Sequence, residues 1–324
     1  MYSVLISMAI LTSLAAAPLL RFSLARVAIN PEEALRVTNE NRHNESFLNS
    51  LRKVLMPSRG GTNVQWAAYL LGHLSHHHTV AVTALFALPN PGETPPPEAV
   101  LALNQQLRHS DGPAPRVRHV NGIPVSEAIL SEAVKGSYDL LVLGATGTSA
   151  EGLFNQLIDN VLSHAPCATM VVRAHPSFDQ QGGAIEVQKV LLPAVGTQYS
   201  RRAAEVAAVM CRSLQATLTI LHVVPLMDGD TLGPRSHELS LTFGQHIVDE
   251  HADLARSLGA SVDTLVLEGA SPSQCILELA QRQEYDLIFM GINFRPVAGY
   301  AFLGHRAERV LRGAPCAAAV LGSG

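Results

Sequence analysis

One arrangement of residues occurs twice in this chain of 324 residues, and it limits the fold more than any other feature. In the first copy, an apolar run at 140–143 follows Asp139 and ends at a glycine. Residues 153–162 then carry apolar side chains at helical spacing, and a second apolar run at 167–172 follows a proline. This pattern predicts a buried strand, a tight glycine turn, a helix with one buried face and another strand. The same order returns at 285–321.

The two copies are separated by nearly constant offsets along the chain. The aspartates that precede the two apolar runs are 147 residues apart, and the Ala-Pro-Cys segments that begin at Ala165 and Ala314 are 149 residues apart. Upstream, the segment Lys-Val-Leu-Met-Pro at Lys53 returns as Lys-Val-Leu-Leu-Pro at Lys189, an offset of 136. Three landmarks in the same order indicate a duplicated domain rather than chance similarity.

Strands alternate with helices in both halves, which predicts two tandem doubly wound α/β domains of flavodoxin-like layering. Each has a parallel sheet covered by helices on both faces, with right-handed crossovers. In the first half we expect strands at 53–56, 80–88, 116–120, 140–143 and 167–172, and helices at 62–76, 98–108, 123–135 and 153–162. In the second half we expect strands near 190, 217–223, 261–267, 287–290 and 317–321, helices at 236–258 and 304–312, and the remaining helices in the same order as in the first half.

Each half resembles a universal stress protein domain. The resemblance rests on the Asp, the apolar run with its glycine, the helix, and Ala-Pro-Cys with the terminal strand, all present twice. It implies a first domain at 51–174 and a second domain at 187–324, joined by a linker at 175–186. Before them we expect a hydrophobic helix at 1–27 and a linker at 28–50 that we interpret as helical. Family members commonly pair through their last strand. The expected pairing strands within this chain are therefore 167–173 and 316–321, and a homodimer also remains open.

Residues 2–20 carry no charge and, at helical rise, are long enough to cross the apolar part of a bilayer. Arg21 and Arg26 follow this run and no basic residue precedes it, so the positive-inside rule places residues 28–324 in the cytoplasm. The alternative is a buried helix of a soluble domain. The order of apolar run, linker and tandem domains resembles the end of a cation:proton antiporter. That resemblance implies a location in the cytoplasmic membrane and the antiporter membrane domain as partner.

Composition narrows the range of functions. A net charge of −4 at neutral pH opposes a general nucleic-acid-binding role, which needs an excess of Lys and Arg. The four cysteines show no close pair and no metal-ligand spacing, so we expect reduced thiols buried in the cores of a cytosolic protein. No Gly-x-Ser-x-Gly, His-Glu-x-x-His or Gly-Lys-Ser/Thr motif is present, and the sequence therefore favours a binding protein over an enzyme.

Nucleotide-binding members of the family carry an Asp after the first strand, then Gly-x-x-Gly, nine residues and Gly-Ser or Gly-Thr. The glycines bring N–H groups to the phosphates, and the Asp accepts from the nucleoside. The first half keeps the glycine spacing, but Asn155-Gln156 stands at the closing pair and Arg59 replaces the Asp. Its candidate ligand-binding residues are Arg59, Gly60, Gly144, Thr146, Gly147 and Thr148.

The second half departs from the family pattern at other positions. Phe294 stands at the second glycine, His305 replaces the hydroxyl residue, and Val195, which cannot accept a hydrogen bond, replaces the Asp. The candidates in this half are Gly196, Gly291, Gly304 and His305.

Three interpretations of these loops remain open. An adenine nucleotide such as ATP is disfavoured by the missing aspartates. Another anionic ligand is compatible with Arg59 in the first half and with Arg295, His305 and Arg306 in the second. In the third interpretation, the loops bind nothing and serve only to connect strands and pack the domains together.

Four histidines (His73, His76, His77 and His78) lie at the end of a predicted helix. Their spacing allows a transition metal or a response to pH near neutrality. Histidines are also common at solvated helix ends, and we expect no metal site here.

The sequence thus predicts the cytoplasmic, ligand-sensing regulatory part of a monovalent cation:proton antiporter, without the helices that translocate the ion. The alternative is a free-standing tandem universal stress protein that binds a nucleotide or another anionic ligand.

Overall fold

The computed structural model of the chain describes residues 46–88, 90–107, 114–145, 153–175, 185–226, 234–297 and 300–323. The predicted apolar span at 2–20 and most of the predicted linker at 28–50 lie outside these residues. Within the described ranges, no helix is both long and apolar enough to span a membrane. The described end of the linker forms one short helix, α1 (Phe47–Ser50).

The first half is a five-stranded parallel sheet with the strand order β3-β2-β1-β4-β5. Its elements are β1 (Lys53–Pro57), α2 (Thr62–His77), β2 (Ala81–Leu88), α3 (Pro97–Leu107), β3 (Arg116–Asn121), α4 (Val125–Gly136), β4 (Leu140–Gly144), α5 (Gln156–His164) and β5 (Ala168–Arg173).

The second half repeats this topology with the order β12-β9-β6-β7-β8. Its elements are β6 (Lys189–Pro193), α6 (Gln198–Leu214), β7 (Thr217–Pro225), α7 (Pro234–Ser257), β8 (Ser261–Gly269), α8 (Pro272–Arg282), β9 (Leu287–Asn293), α9 (His305–Gly313) and β12 (Ala317–Ser323). A short antiparallel hairpin of β10 (Arg295–Val297) and β11 (Tyr300–Phe302) precedes α9, and the sequence did not predict it.

The duplicated Asp and Lys landmarks hold the amino ends of the central strands together. The Oδ2 atom of Asp139 accepts hydrogen bonds from the backbone N–H groups of Arg52 and Lys53, each at 2.8 Å. Asp286 accepts in the same way from Gln188 and Lys189 at 2.8 and 2.9 Å. These aspartates therefore join β1 to β4 and β6 to β9 at the edge of the sheet opposite to the predicted ligand site.

The two halves form one continuous sheet of ten strands, because β5 and β12 pair in antiparallel fashion. Val171 lies opposite Val320, and Arg173 lies opposite Ala318. The predicted pairing of the two last strands is confirmed. Since Val171 and Val320 are themselves equivalent under the offset of 149 residues, a pseudo-twofold axis passes through this pair.

Alternate strand residues face two separate core layers, as the pleat of a sheet requires. In β1, Val54 and Met56 belong to the layer under α2, α3, α6 and α7, whereas Leu55 belongs to the layer under α4, α5, α8 and α9. Each layer contains buried residues from both halves. The junction between the halves is therefore core, and not a solvated gap.

The four cysteines are free thiols, as predicted. Cys211 and Cys316 are buried, and their burial raises the pKa of each thiol to about 12. The expectation that all four are buried is wrong for Cys167 and Cys275, which are half-exposed because one precedes a strand and the other lies on the outer helix α8.

Candidate functional site

The second half contains a cavity of about 640 Å³ at the carboxyl edge of its sheet, beside the ends of β6 and β9. From β6 the chain continues into α6 on one face of the sheet, and from β9 it continues through the hairpin into α9 on the other face. Open α/β sheets bind ligands at such a switch point. The volume lies within the usual range for small-molecule sites, about 300–1,000 Å³.

One wall of the cavity is the first turn of α9. Gly304 caps this helix with a φ of 90°, a left-handed conformation that favours glycine, and a Cβ atom there would have no atom within 4 Å. His305 and Arg306 follow, and both line the cavity and are exposed. The first N–H groups of a helix lack intrahelical partners and carry partial positive charge. This wall therefore offers helix N–H groups, the imidazole of His305 and the guanidinium of Arg306 to an anion.

The other walls are mostly apolar, with Leu221, Ile276, Met290 and Val310 among the lining residues. Polar groups come from Thr197, Tyr199 and Asn293, and none of the lining residues in the described ranges carries a carboxylate. The arrangement can accept a ligand that has an apolar body and a negatively charged end.

The candidate glycines at the strand ends have a packing role. At Gly291, a Cβ atom would meet the backbone of Tyr199 and come within 2.6 Å of Ser200 N. At Gly144, it would come within 2.8 Å of Val64 N. In both halves, the first turn of the helix after the first strand rests on this glycine. Its identity is therefore explained by a close helix–strand approach, which is a role also known for glycines of dinucleotide-binding turns.

The loop after the first strand also uses glycine for its conformation. Gly60 and Gly61 have φ values of 81° and 94°, and Gly196 has a φ of 68°. Arg59 is exposed, and Val195 has 54% of its surface exposed beside the cavity of the second half. The candidates Gly291, Gly304 and His305 thus line one cavity. Gly196 does not line it, but it lies between Val195 and Thr197, which do.

In the first half, a side chain that the sequence did not single out bridges the corresponding edge. The Nδ2 group of Asn63 donates to the carbonyl of Ala145, and its Oδ1 atom accepts from Ala174 N at 2.7 Å. The candidates Thr146, Gly147 and Thr148 lie outside the described residues. The offset of 136 places Tyr199 at the position of Asn63. A comparison of the two halves could therefore have identified both residues as candidates for this edge of the sheet.

Phe294, at the position of the family's second glycine, is only 3% exposed and fills space at the junction of the halves. A Cβ atom on Gly322 would lie 2.7 Å from the Phe294 ring, so the ring packs directly over the β12 backbone. A core residue therefore stands at the position where the family pattern predicts a glycine.

The histidine cluster makes protein contacts. His73 Nδ1 lies 2.8 Å from Ser213 Oγ, and His78 Nε2 donates to the carbonyl of Leu51 at 2.9 Å. The rings of His76 and His77 stack edge to face with centroids 4.5 Å apart. Across the residues with described positions, no group of three His, Cys, Asp or Glu side chains is arranged to hold a metal ion.

The universal stress protein family matches residues 62–173 and 186–322, the larger part of the chain. This chain belongs to the universal stress protein family. A universal stress protein of Thermus aquaticus is 30% identical over 133 residues, which cover 39% of this chain and 93% of that protein. A universal stress protein of Methanocaldococcus jannaschii is 28% identical over 134 residues, which cover 40% of this chain and 78% of that protein.

Solved structures agree on the tandem fold of this universal stress protein. One from Archaeoglobus fulgidus DSM 4304 aligns with a TM-score of 0.54 at 18% identity, covering 84% of this chain and 98% of its own. A functionally unknown protein from Pseudomonas aeruginosa PAO1 aligns with a TM-score of 0.53 at 15% identity, covering 85% and 94%. At these identities the similarity establishes the fold alone.

Proposed function

We propose that this chain is a ligand-sensing regulatory module whose ligand binds in the second half. The ligand places a negatively charged group at the first turn of α9 and an apolar body in the cavity behind it. The observation that carries the proposal is the combination of helix N–H groups, His305 and Arg306 at one end of a cavity whose described lining has no carboxylate. Among anions, an amphiphilic carboxylate or phosphate fits better than ATP, because Val195 cannot accept a hydrogen bond from a nucleoside.

The helix that borders this cavity also holds the start of the described chain. Thr197 and Tyr199 at the beginning of α6 line the cavity. Two turns further along the same helix, the buried Glu205 accepts hydrogen bonds from Ser46 Oγ at 2.7 Å and from Leu48 N at 3.2 Å. A ligand that shifts α6 would therefore act directly on the segment that precedes the first domain.

We further propose that this segment attaches the module to the membrane domain of a cation:proton antiporter, with residues 28–324 in the cytoplasm. Two observations support this: the uncharged run at 2–20 and the anchoring of the chain at Ser46 on the helix that borders the ligand cavity. Regulation would require the ligand to bind two states of the transporter unequally.

Ligand binding can be tested on the full chain by thermal unfolding with ATP, ADP, AMP, cyclic nucleotides, octanoate and octyl phosphate. A ligand of the folded state raises the melting temperature in a saturable way. We expect octyl phosphate to do so in the wild type and in Gln156→Ala, the equivalent position in the first half, but not in His305→Ala/Arg306→Ala. An equal shift in the double variant, or no shift with any compound, would overturn the proposed site. A larger shift with ATP than with octyl phosphate would overturn the ligand class.

Membrane attachment has a separate test. The full chain should fractionate with membranes and resist extraction by high salt, and deletion of residues 1–30 should release it. A full chain that stays in the supernatant would contradict attachment and leave the ligand site untouched.

A further inference from the structure

A second, smaller cavity of about 110 Å³ lies at the junction of the two halves. It is on the face of the sheet that carries α5 and α9. Its lining includes the apolar residues Phe154, before α5, and Leu311, on α9, together with Arg173 on β5 and Arg312 on α9. Both halves of the chain are therefore needed to form it.

Arg173 has an unusual environment for a charged side chain. Its Nη2 group donates to the carbonyl of Ala314 at 2.6 Å, but its Nε atom is fully buried and has no hydrogen-bond partner. Burial lowers the pKa of this guanidinium, which nevertheless stays charged at neutral pH. A buried donor on a cation costs free energy unless a partner satisfies it.

Among the described residues, the lining of this cavity includes no carboxylate. Within the described parts of the chain, no carboxylate lies within ion-pair distance of Arg173 or Arg312. Two cations that border one small cavity repel each other. An anion between them would be attracted to both, and this attraction would outweigh the repulsion.

The pseudo-twofold axis shows that the fold itself does not require these arginines. Under the offset of 149 residues, Gly322 corresponds to Arg173 and Ser163 corresponds to Arg312. On that side of the junction, the ring of Phe294 packs over Gly322. One side of the junction is thus closed by an aromatic ring, and the other keeps a cavity with two guanidinium groups.

We propose that this junction cavity binds one small tetrahedral oxyanion of the inorganic phosphate type. Arg173 and Arg312, which both line the cavity, supply guanidinium donors to it other than the enclosed Nε–H of Arg173. The cavity volume equals that of roughly three or four water molecules at about 30 Å³ each, which admits a phosphate group and excludes a nucleotide. The bound anion would join the last strand of the first half to the last helix of the second.

The test is isothermal titration calorimetry of the full chain with inorganic phosphate at constant ionic strength, with chloride and acetate as reference anions. We expect saturable phosphate binding that Arg312→Gln weakens at least tenfold. Arg309→Gln removes the same charge from the same helix outside the cavity and should leave the affinity unchanged.

Arg173→Lys keeps the charge but removes the planar guanidinium group, and it should weaken binding as well. Because Arg312 is exposed, Arg312→Gln remains a valid test even if the Arg173 variant does not fold. Equal affinities in Arg312→Gln and Arg309→Gln would overturn the proposal. So would equal heats with acetate, or the absence of saturable phosphate binding in the wild type.

Discussion

At Gly291 the backbone of α6 lies closer to β9 than any side chain would permit. The atoms that a methyl group would meet belong to the main chain of Tyr199 and Ser200, which cannot turn aside as a side chain could. The same contact exists between Gly144 and Val64. At both places a residue that the sequence marked as a ligand contact is required by packing in the absence of any ligand.

Gly291→Ala should therefore destabilise the protein by about 2–3 kcal/mol, because α6 must move away from the sheet. Gly313→Ala is a matched control, since its methyl group meets only the end of the Leu277 side chain, and we expect a loss below about 1 kcal/mol. The free energy of unfolding from urea titration checks both values. Similar losses in the two variants would contradict the packing role.

His251 gives the molecule a predictable response to acid. This side chain is buried, its Nδ1–H donates to the carbonyl of Ile247 at 2.8 Å, and its Nε2 lies 3.1 Å from Ser200 Oγ. Burial lowers its pKa in the folded state. In the unfolded chain a histidine titrates near pH 6.5, so the unfolded state takes up a proton first as the pH falls.

The stability that depends on a neutral His251 should be complete above about pH 6.5 and decline as the pH falls through the lowered pKa. We expect the melting temperature of the wild type to fall between pH 7.5 and 5.5, and that of His251→Gln to fall less. His246→Gln, an exposed histidine on the same helix, should follow the wild type. Parallel curves for all three proteins would show that His251 does not control this response.

At the scale of elements, α6 connects the main features of the molecule. Its N-cap residue Thr197 accepts from Ser200 N at 3.3 Å and lines the ligand cavity, and its middle carries Glu205. Arg201, one turn before Glu205, links the helix to Glu250 of α7 at 3.5 Å. This helix therefore contacts both the cavity and α1.

Glu205→Ala should detach α1, because it leaves the buried N–H of Leu48 without its acceptor. The expected cost is about 2 kcal/mol in the free energy of unfolding. Faster hydrogen exchange at 47–51 should accompany it. Glu250→Ala removes an exposed carboxylate that contacts the same Arg201, and it should change neither quantity. Unchanged exchange at 47–51 in Glu205→Ala would contradict the anchoring role.

The bounds of long elements with a clear hydrophobic period could be predicted from the sequence, and those of short elements could not. The predicted strand at 53–56 and helix at 62–76 differ from β1 and α2 by one residue each. The hairpin β10–β11 was missed because strands of three residues carry no usable alternation. Of the predicted candidates, Gly291, Gly304 and His305 line the cavity of the second half. Tyr199 and Thr197 were missed because the first strand-to-helix turn showed no motif beyond its glycine.

At the scale of the whole molecule, both core layers run without interruption through the β5–β12 junction. The outer edges of the ten-stranded sheet are β3 and β8. Arg116, Arg118 and His119 on the edge strand β3 oppose pairing with another sheet. The sequence predicted the pairing of the last strands from a family resemblance. It also contains the difference between Arg173 and Gly322, but only the structure shows that these residues lie on opposite sides of the junction.

Because the core is continuous, residues 46–324 should unfold in one cooperative transition. The calorimetric enthalpy of the full chain should then equal the van't Hoff enthalpy. If the chain is expressed as two separate halves, the halves should associate, and the melting temperature of the complex should depend on protein concentration. Two separate transitions in the intact chain would show that the halves are energetically independent.

Because β5 and β12 belong to one chain, their pairing always joins one first half to one second half. When identical subunits pair through such strands, dilution separates them and every mutation enters both subunits at once. In this chain the two partners are held at a high effective concentration by one polypeptide, so dilution does not separate them. Each half can also acquire substitutions that the other lacks. The two sides of the junction have diverged in this way, with Phe294 and Gly322 on one side and Arg173 and Arg312 on the other. A symmetric dimer of identical subunits could not maintain such a difference.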